Sequence, residues 1–518
     1  MKSFNLIDEE WIPCLLLNGE AKDLSLRDTI EMAPEIREIF SPSPLITASL
    51  HRLLMAVLWR VFQLEGLRDW KELWRTGSFD RIAMDEYLSQ WRHRFDLLDE
   101  NRPFYQLGSL ELSKRTPLKR LGWEYAVGNN GTLFDHSSDD VLSAVEPADA
   151  ARWVVTTQCF AASSGKSETI HTKDSPWSRG AILFLQGDNL FQTLALNLLG
   201  LLRDDFPISR EDQPVWERET EWEHAHSLTP LGIFEYLTWQ SRSIKLLTDQ
   251  NGDLKECYFA QGRAVVESFK QEPAYVYKKD PKLGYLPWQF DEGRVLWRDS
   301  HTLFNLAKDS SYALPESLQR LGQLTREMSI DRKHLYQLQV LGQSLETGQP
   351  TIRFWRNERL PLRPEYLDNK PLLDALREAV ELSEKYFRSL LMPSTHLLAR
   401  LLLEFTTNRQ PDKKDVRNLA NHWQVDSIYW SQLEAPFSKL LIELPADESE
   451  SDEEDRQYGQ RVMPEWTSRL ERAAKSAFLV AANGVDGSSR GLKALAKAES
   501  TFAANVKKLA VGDCQESR

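Results

Sequence analysis

The chain has 518 residues, 41% of them hydrophobic and 27% charged, with a formal net charge of −13. It is too long for one hydrophobic core and too apolar for a disordered chain, so at least two folded domains are expected. The acid excess excludes a protein that coats nucleic acid indiscriminately, while leaving room for local basic patches.

The opening stretch, Met1 to Trp11, is polar and acidic, unlike a secretory signal. "FNLIDEEWIPCLLLNGEAKDLSL" then predicts two short strands about a turn at Asn18-Gly19. A helix is expected from Pro44, with Leu50, Leu53, Leu54, Val57, Leu58 and Val61 on one face. It is the most apolar stretch of the chain, but His51, Arg52 and Arg60 interrupt it, so it reads as a buried helix and no membrane span is expected. Residues 100–360 hold Pro, Gly and aromatic residues at irregular spacing, which predicts an irregular α+β body with long loops. From about residue 366 the texture changes to long amphipathic segments with short breaks. One runs through "YLDNKPLLDALREAVELSEKYFRSLL", and the next follows Pro393. A third covers about 414–443 with a break near Val425, and two more follow residue 462. Between them, residues 447–455, DESESDEED, carry seven acids and no base, as a solvated loop would. The expectation is therefore an α+β fold: a large mixed domain over 1–367, then an all-α four-helix bundle over 368–518.

No catalytic constellation emerges. P-loop and HExxH patterns are missing from the sequence. Cys14, Cys159, Cys257 and Cys514 lie far apart with no CxxC pair, which predicts no zinc site and a reducing, cytoplasmic setting. His224 and His226 alternate like two ligands on a strand, without a third group at useful spacing. Asp135, His136, Asp139 and Asp140 could hold a divalent metal, but the same residue types also make turns and helix caps. No cofactor is expected. Trp-Arg neighbours such as Trp59-Arg60, Trp74-Arg75 and Trp355-Arg356 could stack bases, and equally read as core tryptophans beside surface arginines.

Three loops carry more information. "GNNGTLFDHSSDD", 128–140, is a turn-forming stretch with two large apolar residues, Leu133 and Phe134, near its middle. "CFAASSGKSE" follows an apolar run and is made of small residues up to Gly165, which permit close backbone approach, with Lys166 as a charge for phosphate. Read alone it is also an ordinary flexible turn. "LQVLGQSLETGQPTIRFWRNERLPL" predicts a hairpin with Gln349 at its tip and Arg353, Arg356 and Arg359 on the returning strand. A flat polar group on a stiff support, backed by arginines, suits entry into a duplex and contact with its phosphates.

Taken together, "FNLIDEEWIPCLL", "GNNGTLFDH", "GQSLETGQPTIRFWRNERLPL" and the closing helices resemble the CasA family, the large subunit of the type I-E CRISPR surveillance complex Cascade. The resemblance spans most of the chain and is weaker over about 200–300. It implies a non-enzymatic subunit that finds the protospacer-adjacent motif in double-stranded DNA, begins unwinding beside it and helps recruit the helicase-nuclease. Its implied partners are the other Cascade subunits, the CRISPR guide RNA, target DNA and that effector. By resemblance, Gln349, preceded by Gly348, is the wedge, and Ala161, Ala162, Ser163, Ser164 and Gly165 form the motif-reading loop. The family's lysine finger corresponds to Arg263 or Lys270, with Arg263 preferred. Asn129, Asn130, Thr132, Leu133, Phe134 and His136 form a docking loop toward the RNA-bearing backbone. Some relatives carry a cysteine-rich metal site where this chain has only Cys257, so no zinc is expected. Lys493 and Lys497, one helical turn apart, with Lys507 and Lys508 beyond, form either a DNA-holding strip or a plain solvated face. Two other readings use the same residues: a metal-dependent nuclease built on the 135–140 acids, and a purely structural scaffold.

Overall fold

The computed structural model describes residues 3–122, 143–163, 172–202, 209–219, 228–266, 272–304, 312–346, 351–407, 410–448 and 457–516. The docking loop, the two histidines at 224 and 226, Lys270, Gly348 and Gln349 lie outside them. The chain divides into two compact units: Met1–Glu292 with Ser310–Arg359, and Gly293–Asp309 with Leu360–Arg518.

Four three-stranded sheets occur among the described residues. The first centres on Ile12–Leu16, paired antiparallel with Ala21–Leu24 and with Ile36–Ile39, a third strand that alternation did not predict. Its turn uses Gly19 at φ +90°, a region that glycine enters without strain. Just before this sheet, Leu6, Ile7 and Trp11 are fully buried, and the Trp11 indole donates to the Leu6 carbonyl at 2.9 Å. Leu6, Ile7 and Trp11 are therefore part of the core of the first unit, while the acids between them face outward.

The helix Pro44–Phe62 is long and apolar enough to cross a bilayer, but residues 44–59 are all buried in the first unit. A helix apolar all round belongs in a core. Its one buried cation, Arg52, donates to Glu272 at 2.9 Å and to the carbonyls of Tyr236 and Leu237, with its guanidinium over the Trp177 and Tyr236 rings. Burial alone would lower its pKa, but Glu272 more than reverses this, so the group stays charged. The helix Pro147–Phe160 packs beside Pro44–Phe62. The buried strand Ile182–Gln186 pairs with Tyr336–Leu345, which turns back into Ile352–Leu362. This is the predicted hairpin, closed by the Glu346 N–H on the Thr351 carbonyl at 2.9 Å.

In the second unit, Lys370–Tyr386 and Met392–Thr407 are joined by a π-helical turn over Phe387–Leu391. The break expected at Pro393 does not occur. Proline cannot donate to the carbonyl four residues earlier and crowds it, and the wider turn just upstream accommodates both problems. The break near Val425 is present, at left-handed Gln424 (φ 50°), between Lys413–His422 and Val425–Glu443. Val462–Asn483 and Ser489–Glu516 complete four long helical segments.

Gly293–Asp309, which sequence texture assigns to the first domain, belongs to this bundle. The Trp297 ring stacks on Phe437 at 4.7 Å and meets Trp430 and Trp466 edge-on. Arg298 lies 3.7 Å over Trp430 and donates to Glu384. The acidic run also begins differently from expectation. Asp447 is only 4% exposed and accepts the Arg461 and Val462 N–H groups at 2.8 Å each, holding the start of the following helix. Those orphan donors are what a carboxylate at a helix N-terminus satisfies.

Candidate nucleic-acid interface

The small-residue loop starts where the helix Pro147–Phe160 ends. Helix C-termini leave carbonyls without intrahelical partners, and here five consecutive ones are met from outside the helix. Gln158 O accepts from Ser241 Oγ at 2.8 Å, Cys159 O from Trp177 N at 2.8 Å and Phe160 O from Gln343 Nε2 at 2.8 Å. Arg242 donates to Ala161 O at 2.9 Å and to Ala162 O at 3.1 Å. Ser163 N–H then meets Asp174 Oδ1 at 2.8 Å, and its hydroxyl meets Thr172 O at 2.8 Å. Ala161, Ala162 and Ser163 are thus one side of a hydrogen-bonded stem, with 172–175 as the other. Ser164, Gly165 and Lys166 lie outside the described residues.

The hairpin arginines do not act as one row. Alternation puts Arg353 and Arg359 on one face and Arg356 on the other. Arg353 is 52% exposed and pairs with Glu292 at 3.1 Å. Arg356 donates to the Asp291 carbonyl and lies over Phe290 and Phe354, and Arg359 pairs with Glu38. Of the three, Arg353 keeps its guanidinium most open to solvent.

Arg263 is turned inward. Its side chain is 13% exposed, donates to Glu235 Oε1 at 2.6 Å and lies 4.4 Å over the Trp239 ring. Arg218 shares the same carboxylate oxygen at 2.5 Å. Burial pushes the Glu235 carboxyl up, but the Leu231 N–H and the two arginines hold it below its ordinary value. A guanidinium so engaged is held by the chain rather than presented. Trp59 is likewise a core residue, and its neighbour Arg60 makes a two-pronged pair with Glu217 at 2.8 and 2.7 Å.

Cys257 sits buried in the strand Leu254–Gln261, and burial pushes its thiol up to about 12. Among the described residues no group of three or more His, Cys, Asp or Glu is placed to hold a metal ion. In the bundle, Lys493, Lys497, Lys507 and Lys508 are all exposed on Ser489–Glu516. At 3.6 residues per turn they fall within an arc of roughly 100°.

The family model for CRISPR-associated protein Cse1 matches residues 5–477. The chain belongs to the Cse1 family. It is 30% identical over 516 residues to the CRISPR-associated protein CasA/Cse1 of Thermus thermophilus, covering 97% of each chain. It superposes on a solved structure of Thermus thermophilus CasA (Cse1) with a TM-score of 0.76 at 26% identity, over 98% of this chain and 100% of the other. A chain of a solved CRISPR RNA-guided surveillance complex shares the fold, with a TM-score of 0.72 at 18% identity, over 97% and 100%.

Within this Cse1 chain, sequence reading finds the loop and the hairpin but misses Arg242, Asp174, Gln261 and Gln343, which hold them. Arg242 opens a β-strand, "RSIKLLT", where a lone arginine gives no hint that it points inward. The glutamines carry no sequence signal at all.

Proposed function

We propose that this chain is the large, non-enzymatic DNA-recognition subunit of a type I-E Cascade complex. In this reading the 161–166 loop meets the protospacer-adjacent motif through the minor groove, where A·T and G·C differ mainly by the guanine amino group. Backbone-led contact there tolerates several motifs. Gln349, with Gly348 shaping the tip, occupies the space of the first separated base pair, and Arg353 contacts phosphate nearby. RNA–DNA pairing then continues an exchange close to energetic balance. Asn129, Asn130, Thr132, Leu133, Phe134 and His136 dock on the guide-RNA-bearing subunits, and the opened complex receives the helicase-nuclease in the cytoplasm. Because Arg263 is bound to Glu235, the finger role falls to Lys270. Lys493 and Lys497 hold flanking duplex or the displaced strand.

The observation that carries this reading is the loop stem. Where the small residues begin, the carbonyls from Gln158 to Ala162 are all satisfied, so the stem at Ala161–Ser163 is fixed before any partner arrives. Preorganisation of this kind favours reading a surface over passive connection.

The test is co-purification with the other complex subunits and guide RNA, then binding to a target-duplex library with randomised flanking bases. Enrichment of a subset of flanks is expected. Retention independent of the flank would reject the reading, and metal-dependent cleavage lost on Asp139→Ala would replace it with the nuclease.

A further inference from the structure

The segment 95–108 folds tightly on itself. Asp99 Oδ1 accepts the Asn101 and Arg102 N–H groups at 2.9 and 2.7 Å. A Cβ at Gly108 would lie 1.9 Å from the Asn101 carbonyl oxygen, so glycine is needed for the turn to close. Within it Tyr105 is buried and holds a left-handed φ of +57°, a strained conformation for a bulky residue. The Phe104 ring at 4.6 Å, the Trp216 ring at 6.2 Å and the Gln158 amide, which donates to the Tyr105 carbonyl at 3.2 Å, keep it there. Strain that the surroundings enforce in this way collects at functional sites.

Phe104, Tyr105 and Trp216 line a cavity of about 40 Å³. Three arginines line it as well, Arg94, Arg102 and Arg218, and no described acidic residue does. Two carboxylates of the same segments are engaged elsewhere: Asp99 by backbone N–H groups, and Glu217 by Arg60 and the Tyr87 hydroxyl. Glu235, which holds Arg218, is shared with Arg263. Arg102 is half-buried, and among the described residues its guanidinium makes a single long hydrogen bond, to the Arg218 carbonyl at 3.3 Å. Cations that line a cavity without a countercharge pay for desolvation and repel one another. An anion in the cavity removes both costs. One water needs about 10–15 Å³ of such space, so the cavity admits one small oxyanion and is too small for a nucleobase.

We propose that this cavity is an oxyanion site that takes a single phosphate group, with Arg102 as the principal ligand and Arg94 and Arg218 supplying further positive charge. A planar guanidinium fork matches two oxygens of a phosphate, which makes arginine the suited residue for this recognition. The phosphate group is either free in solution or borne by a nucleic-acid backbone, and the chemistry at the cavity is the same for both. The site does not depend on the duplex-reading role proposed above.

The experiment uses the full chain as parent, Arg102→Gln and Arg94→Gln, with Arg68→Gln, at a side chain 89% exposed, as control. Inorganic phosphate is titrated by calorimetry at an ionic strength held constant with chloride, and a short single-stranded oligothymidylate by fluorescence anisotropy. Loss of one charge-assisted hydrogen bond should weaken phosphate binding by about tenfold in Arg102→Gln, by less in Arg94→Gln and not at all in Arg68→Gln. Oligothymidylate that is weakened by Arg102→Gln and displaced by phosphate assigns the group to a nucleic-acid backbone. Oligothymidylate binding equal in parent and Arg102→Gln, with phosphate binding weakened, assigns it to free phosphate. A parent that binds neither ligand overturns the site, as do two variants that bind both ligands as tightly as the parent. An equal loss in Arg68→Gln marks general electrostatics and overturns it too. If Arg102→Gln loses its cooperative melt, Arg94→Gln carries the comparison.

Discussion

Gln343, on the outgoing strand of the hairpin, donates its side-chain N–H to the Phe160 carbonyl at 2.8 Å, tying the hairpin to the helix end that launches the small-residue loop. The same amide reaches Ser178 O at 3.1 Å. The loop and the hairpin therefore stand on one support, as expected if reading and opening of a duplex occur at a fixed separation. Gln343→Met keeps the volume and leaves both carbonyls unpaired. It should cost about 2 kcal/mol in urea unfolding and slow duplex opening by the complex more than initial binding. Unchanged opening on a folded variant would show that the tie has no part in function.

The buried pair of Arg52 and Glu272 gives a prediction about stability alone. Glu272→Gln leaves the arginine charged inside the core and should destabilise by roughly 3–5 kcal/mol. Replacing both residues with methionine should recover much of that loss, because the desolvation of both charges disappears together. The check is a double-mutant cycle in urea. A double variant as unstable as the sum of the singles would show that the charges are not coupled.

Asp447 gives a pH dependence. Burial pushes its carboxyl up, but Arg461 and two backbone N–H groups outweigh this and hold its pKa below the ordinary 3.8. A depressed folded-state pKa stabilises above the unfolded value, and the gain disappears as pH falls through the folded value. The difference in Tm between the parent and Asp447→Asn should be fully present above about pH 4 and shrink below it. A difference independent of pH over that acid range would assign the effect to hydrogen-bond geometry instead.

The bundle strip is tested by salt. Changing Lys493, Lys497, Lys507 and Lys508 together to glutamine should weaken DNA binding. It should also reduce the slope of log affinity against log salt by about 0.9 for each phosphate no longer neutralised. An unchanged slope would make the strip a solvated face.

The sequence is legible where one local rule decides the outcome. Asn18-Gly19 demands a turn, the β-prone runs on either side of residues 346–349 demand a hairpin, and the amphipathic segments after residue 366 demand long helices. It is illegible where distant segments decide. Nothing near Trp297 says that its indole fills a gap among Phe437, Trp430 and Trp466, so sequence texture puts the segment around it in the wrong unit. Pro393 reads as a stop until the π-helical turn before it is known. Arg263 reads as a free cation until Glu235 and Trp239, 28 and 24 residues earlier in the chain, are folded against it. Arg242 escapes notice for the converse reason: a charge on a strand is normally outward, and only the carbonyls of a separate helix end explain its inward turn.

The central claim is that this chain opens a duplex beside a short motif, with Gln349 standing in for the separated pair. The most direct measurement is stopped-flow fluorescence of a base analogue beside the motif, using the assembled complex with parent chain or Gln349→Ala. One target duplex is closed, and the other carries mismatched, pre-opened bases at that position. The account predicts that Gln349→Ala slows the signal on the closed duplex and leaves the pre-opened one close to the parent rate, because the opening cost is already met. Equal slowing on both duplexes would contradict it, and would move Gln349 from strand separation to binding or folding.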